Sequence, residues 1–255
     1  MSKAMIYPDK GYIGCFEMPD RDTGRRQLEV YVRQLQDAGH QRIIAPINGD
    51  TWHTYRLVSW SGNEPAFPLE PQNPLWYNEV YTELGFAPLK KYRSDTFSIG
   101  NIAPLPDTDN ALRFRNFRDN DLKTVYEISL HGFDENFLYN DIPFEEFCRL
   151  YQPFLHVVDK KLAIIAEVEN IPVGFMFAFP AGDRLILKTM AVLPEYRSNG
   201  IGAKMYNHVL LAGQRKGLKA AIAALIAEGN HSHKITSRYG SEKIREYTLY
   251  CLETY

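Results

Sequence analysis

The sequence predicts an α/β fold built on a mixed, largely antiparallel sheet, preceded by a smaller α/β half-domain. Three observations carry this expectation. From residue 111 onward, strand-length apolar runs and stretches of helical period follow in the order β-α-α-β-β-β-α-β-α-β. Lys219 to Ala227 (KAAIAALIA) is nearly continuous in apolar residues, as a central strand buried on both faces should be. The loop Arg197-Ser-Asn-Gly200-Ile-Gly202 lies just past the strand ending at Val192, at the end of an open α/β sheet where ligands bind.

Taken in order, residues 11–18 (GYIGCFEM) read as a strand. Arg25 to Ala38 reads as an amphipathic helix, with Leu28, Tyr31, Val32 and Leu35 on one face and Gly39 as its stop. Arg42 to Ile47 is a second short strand. The segment that follows is dense in Gly, Pro and aromatics and holds Trp52, His53, Tyr55 and Arg56 close together. These side chains either line a pocket or belong to an ordered loop packed over the sheet. Asn73-Pro74 caps a helix ending at Leu84-Gly85, and Phe86 to Phe97 returns as a strand. Residues 99–110, with two prolines and little to bury, read as a linker between units 1–98 and 111–255.

The second unit opens on the alternating strand Leu112 to Phe117. Asp119 or Asp121 caps a helix through about Leu130, and Pro143 fits the start of another. Lys161 to Val168 and Pro172 to Phe179 form a hairpin around Glu169-Asn170. The strand Leu185 to Val192 ends at Pro194. A helix with Ile201, Met205 and Val209 at four-residue spacing follows, stopping near Lys216-Gly217. After Lys219 to Ala227, Glu228-Gly-Asn230 leads into a short helix ending at Tyr239-Gly240, then a last strand from Ile244 to Leu252.

A net charge of -2 over 255 residues offers no general basic face for nucleic acid. The three cysteines lie far apart with no CxxC pair, which argues against a zinc site or disulfide framework and suits a reducing compartment. No signal-peptide core or membrane-length apolar run is present, so a cytoplasmic protein without a membrane partner is expected.

The loop carries the chemistry. Glycines at 200 and 202 let the backbone approach a bulky anion, and the new helix turns its free N–H groups and positive dipole end toward it. Arg197 can add a charge-assisted contact to phosphate. A Rossmann site is disfavoured, because the glycine spacing is wrong and antiparallel-looking strands precede the loop.

Residues 111–255 resemble the GCN5-related N-acetyltransferase (GNAT) family. Arg197-x-x-Gly200-x-Gly202 fits its acyl-CoA signature, it follows a strand ending Ala-Val-x-Pro-x-Tyr-Arg, and Asn230 opens the next helix as in the family. The resemblance implies an acyl-CoA N-acyltransferase fold, acetyl-CoA as cosubstrate, no metal, and direct attack by a primary amine of a small molecule or peptide. The amides of Ser198, Asn199, Gly200, Ile201, Gly202 and Ala203, with Arg197, would hold the pyrophosphate. The strand edge at Met190, Ala191 and Val192 would pair with pantetheine, and Asn230 would bond the pantetheine arm or a water. Glu228 is either a general base or an exposed strand-end carboxylate. The family's acid tyrosine is missing: Thr236 or Ser237 stands in its place, and the nearest tyrosine, Tyr239, reads as core packing or as a displaced acid. A non-catalytic acyl-CoA sensor is the alternative.

The first unit repeats part of this pattern in weakened form. Arg21-Asp-Thr-Gly24-Arg-Arg26 lines up with Arg197 to Gly202, and Arg26 in place of the second glycine would crowd the phosphate path. Residues 1–98 therefore read as a degenerate half-domain that no longer binds CoA. The acidic residues Asp134, Glu135, Asp141, Glu145 and Glu146 form either an attracting rim for a cationic amine or a solvated face. A homodimer is compatible with the sequence.

Overall fold

The structure, a computed structural model, describes residues 3–106, 111–155 and 158–253, with Lys3, Ser198 and His231 described by their main chain alone. The chain divides into two compact units. The first comprises Met1–Ser94, Leu225–Gly229 and Lys243–Tyr255, and the second Asp95–Ala224 and Asn230–Glu242. This departs from the expected boundaries at 98 and 111, chiefly because the last strand belongs to the first unit. Among the described residues no helix is long and apolar enough to cross a membrane.

In the first unit β1 (Lys3–Tyr7) and β2 (Tyr12–Glu17) pair antiparallel, and α1 (Arg21–Asp37) leads to β3 (Arg42–Ala45), parallel to β2. Helix α1 starts at Arg21 rather than Arg25 because Asp20 caps it, its Oδ1 accepting from Thr23 N at 2.8 Å. Leu28 and Leu35 on its inner face are fully buried among Ile13, Phe16 and Tyr81. Then come β4 (Leu57–Ser61), α2 (Trp76–Glu83) and β5 (Ala87–Ser98). Asn73 does not cap α2. Its side chain accepts from Val58 N at 2.7 Å and donates to Val58 O at 3.2 Å, standing in for a missing strand partner. The C-terminal strand β11 (Glu242–Glu253) lies between β3 and β5, and β3 and β4 follow one another along it.

The second unit runs β6 (Leu112–Asn116), α3 (Leu122–Gly132), α4 (Phe144–Leu155), β7 (Ala163–Val168), β8 (Ile171–Ala181), β9 (Arg184–Val192), α5 (Ile201–Arg215), β10 (Ala220–Ala227) and α6 (His231–Thr236). Strands β6 to β9 pair antiparallel in order, and β10 joins β9 in parallel. The turn between β7 and β8 takes Glu169 (φ 52°) and Asn170 (φ 68°) left-handed, the geometry of a tight hairpin. Asp121 precedes α3 but gives it no capping bond; its carboxylate accepts from Arg118 N at 2.7 Å, closing the 3-10 turn Asp119–Asp121, and pairs with Arg115.

The expected linker is described only to Pro106, and 107–110 lie outside the described residues. Its described part is tied to α5 rather than tethering freely. Asn207 accepts from Leu105 N at 3.0 Å and donates to Ala103 O at 2.8 Å, and Gln214 donates to Gly100 O at 2.8 Å.

Candidate active site

The site begins with a fault in the sheet. On β8 and β9, Phe177 faces Thr189 and Ala178 faces Leu187, so Lys188 is an extra residue on β9. Such a bulge bends a strand and ends its pairing. The registered pairs between β9 and β10 run from Arg184–Ala220 to Leu187–Ala223 and stop there. Among the described residues, Thr189 to Val192, with Met190 and Ala191, continue without a registered β10 partner. A free strand edge of this kind can take an extended ligand as an added strand.

The strand edge leads into a short 3-10 segment, Pro194–Asn199, and then to Gly200, whose φ of 71° and ψ of 9° lie in the left-handed region. Among the described residues no side chain caps α5, and its first backbone bond runs from Lys204 N to Gly200 O at 3.1 Å. The N–H groups of Ile201, Gly202 and Ala203 are therefore left to an outside acceptor. The first turn also contains no acid. A Cβ on Gly202 would stand 3.4 Å from Met190 Cε and 3.7 Å from Ile235 Cδ1, so a larger side chain would fill the mouth of the gap. These features fit a bulky anion with an extended arm.

Arg197 does not reach into this space. Its Nε donates to Val192 O at 3.2 Å, Nη1 to Glu135 at 2.6 Å and Nη2 to Gly132 O at 2.7 Å. The expected guanidinium–phosphate contact is thus replaced by a brace that fixes the loop to the end of α3. Glu135 is neutralised by the same bond, while Asp134, Asp141 and Glu145 stay exposed.

Asn230 caps α6, its Oδ1 accepting from Ser232 N at 2.8 Å. Contact with a pantetheine arm would therefore come from its NH2 group. Tyr239, half-buried, stacks on Phe97 with ring centroids 5.2 Å apart, which matches the packing reading. Ser237 Oγ, near the position of the absent tyrosine, donates to Lys234 O at 3.1 Å.

Sequence reasoning missed a group beneath α6. Asp95 on β5 is fully buried, and His233 Nε2 lies 3.7 Å from its Oδ2. Tyr206 on α5 bonds Ser232, and burial drives its hydroxyl pKa well up. A buried carboxylate inside a strand leaves no periodic signal, since one polar residue among apolar ones reads as the strand's outer face.

Glu228 belongs to the first unit. It is exposed, its N–H donates to Lys91 O at 3.0 Å, and with Pro88, Leu89, Lys90, Lys91 and Gly229 it lines an open pocket of about 500 Å³. The Trp52–Arg56 set forms an ordered loop. Asp50 Oδ1 accepts from Trp52 N, His53 N and His53 Nδ1, and the Arg56 guanidinium lies 4.1 Å from the ring centroids of both Tyr55 and Tyr92.

Residues 122–238 match the acetyltransferase (GNAT) family. No curated protein matches the chain. Among solved structures, a GCN5-related N-acetyltransferase from Sphaerobacter thermophilus shares 14% identity over 95% of this chain and 72% of its own, with a TM-score of 0.63. A tandem GNAT protein from the clavulanic acid biosynthesis pathway shares 11% identity over 95% and 75%, with a TM-score of 0.59. A functionally unknown conserved protein from Staphylococcus epidermidis ATCC 12228 shares 13% over 100% and 92%, with a TM-score of 0.51. At these identities the likeness is one of fold. The match to a tandem protein along nearly the whole chain agrees with a GNAT-like first unit.

Proposed function

We propose that the protein, whose residues 122–238 match the acetyltransferase (GNAT) family, is an N-acetyltransferase moving an acetyl group from acetyl-CoA to a primary amine. The observation that carries this reading is the stretch of β9 from Thr189 to Val192, past its last registered β10 pair, leading into the uncapped N-terminus of α5. The edge pairs with pantetheine, and one of its N–H groups polarises the thioester carbonyl and stabilises the oxyanion. The amides from Ser198 to Ala203 hold the pyrophosphate, Arg197 holds the loop, and the NH2 of Asn230 meets the pantetheine arm. The neutral amine attacks the carbonyl carbon directly and the CoA thiolate leaves. Glu228, expected as a base, is exposed and belongs to the first unit, so it is given no part in the proton transfer. Glu228→Gln should leave kcat within about twofold, and a fall of about tenfold or more with unchanged KM would restore the base role.

Isothermal titration with acetyl-CoA tests the reading, with one site per chain expected. Absence of both heat and thermal shift overturns it. A second reading, an acyl-CoA sensor without turnover, is favoured by Ser237 standing near the position of the absent tyrosine. CoA thiol release with a panel of primary amines separates the two, because a sensor releases none above background.

A further inference from the structure

We propose that His233, held on the buried carboxylate of Asp95, is the proton-transfer residue of this site. This rests on the acyl-CoA reading and extends it to the acid–base chemistry that no tyrosine supplies.

The placement of Asp95 is the first support. Along β5, residues 95, 97 and 99 share one side. Phe97 stacks on Tyr239, and the side chain of Ile99 lies 3.4 Å from the position of a Cβ on Gly213 of α5. Asp95 thus sits under the helices with no solvent exposure, an expensive place for a carboxylate unless a cation or strong donors face it. His233 provides such a group at 3.7 Å, while its own side chain remains 41% exposed. One ring nitrogen thereby faces the Asp95 carboxyl group, beyond hydrogen-bond distance, leaving the other, Nδ1, for exchange. This is the arrangement that orients an imidazole base. The separation is a loose one, as such pairs often are before substrate binds.

The position of α6 is the second support. Asn230 caps it, Ser232 bonds Tyr206 of α5, and Ile235 reaches the mouth of the gap beside Gly202 and Met190. His233 lies between these contacts, one turn after Asn230. The titratable and charged groups around it are Asp95 on β5, Tyr206 on α5, Tyr239 in the 3-10 turn after α6, and Lys234 beside it on α6.

The step balances. The ammonium of the acceptor gives one proton to His233 Nδ1, and the freed lone pair forms a bond to the thioester carbonyl carbon. The tetrahedral adduct collapses with cleavage of the carbon–sulfur bond, whose electron pair leaves on the thiolate. Imidazolium returns its proton to that thiolate, and the second nitrogen-bound proton passes to solvent. The products are the amide, CoA thiol and one proton.

The test uses the full chain, acetyl-CoA, and ethanolamine, putrescine, glucosamine and lysine amide as acceptors. In His233→Ala, acetyl-CoA Kd should stay within about twofold and kcat/KM should fall about 100-fold. The acidic limb of the pH–rate profile should disappear, and added imidazole should restore part of the rate. Asp95→Asn, isosteric in case the site tolerates little change, should lower kcat by about tenfold with acetyl-CoA Kd and KM within about twofold, because it removes the carboxylate that positions the ring. An unchanged profile, with a rate within threefold in His233→Ala, overturns the proposal while the acyl-CoA reading stands. Acetyl-CoA binding with no thiol release from any amine also overturns it, in favour of the sensor. No binding by the wild-type chain overturns the acyl-CoA reading itself.

Discussion

Each unit contains a bulged strand, a turn, a helix and a parallel strand, and the two copies treat their main-chain donors in opposite ways. In the second, the bulge at Lys188 releases the strand edge, pairing stops at Leu187, and α5 opens on Gly200 with no cap. In the first, β2 bulges beside Cys15 (φ 49°), yet the released N–H of Cys15 is taken by Asn48 Oδ1 at 2.6 Å and Ile47 N donates to Ile13 O at 2.8 Å. Asp20 then places its carboxylate on the first turn of α1, and Arg21 is held by Glu79 and Glu83. The path of strand, turn and helix is thus kept while the chain's own side chains take up its main-chain donors. Arg26, whose bulk was expected to close the site, is exposed and reaches no further than Thr23 Oγ1 at 3.4 Å. A negative charge and a strand-edge plug are the stronger barriers.

The largest effect on the difference between the two helix N-termini is expected at Gly202. Glu at this position would set a carboxylate on the amides of α5 much as Asp20 does on α1. Titration should show acetyl-CoA Kd rising by about 100-fold or more with the thermal midpoint retained. Unimpaired binding would put the phosphates elsewhere. Gly200→Ala is the next in size. Nothing lies within 4 Å of the added Cβ, so only the left-handed backbone resists it, at about 1–2 kcal/mol. A matching fall in unfolding free energy, with Kd weakened by up to about tenfold, is expected.

Arg197→Gln removes the brace between the loop and the end of α3. Kd should weaken about fivefold, and Glu135→Gln should reproduce part of the effect. A much larger loss in Arg197→Gln, steeply salt-dependent and not shared by Glu135→Gln, would restore Arg197 as a phosphate ligand. The smallest effect belongs to Asp20→Ala. Binding should remain at one acetyl-CoA per chain because Asn48 still fills the β2 edge. A second equivalent would show that the cap alone silenced the first unit. The Thr23 N–H, then its hydroxyl, hold the Asp20 carboxyl below its ordinary value. The cap therefore stabilises fully above that ordinary value and loses its effect as pH falls through the lowered one. The difference in thermal midpoint between wild type and Asp20→Ala should accordingly vanish in acid.

What the sequence shows of this site is what short-range chemistry dictates. Gly200 and Gly202 announce a left-handed turn and a close approach, Pro194 ends the strand, and the spacing of Ile201, Met205 and Val209 gives the helix its buried face. The bulge at Lys188 is not legible, because register depends on which residues of β8 and β10 stand opposite. The Arg197 brace is hidden for the same reason, as Gly132 and Glu135 lie more than 60 residues away along the chain. Strand β1 is too short to show a period, and β4 lies within a Gly- and Pro-rich stretch whose composition reads as loop. Asp95 and His233, far apart in sequence, meet only once β5 and α6 are placed.

The position of β11 bears on how the protein is made. In the first unit this strand separates β3 from β5, and its pairs with β3 join residues such as Ile43 and Leu252 from opposite ends of the chain. During synthesis the first 94 residues leave the ribosome without the strand that completes their sheet. They cannot finish folding until β11 has emerged. Closing so long a loop is slow, and the waiting edges of β3 and β5 stay open to wrong partners. Chains cut after Glu242 should lose the first unit's core first.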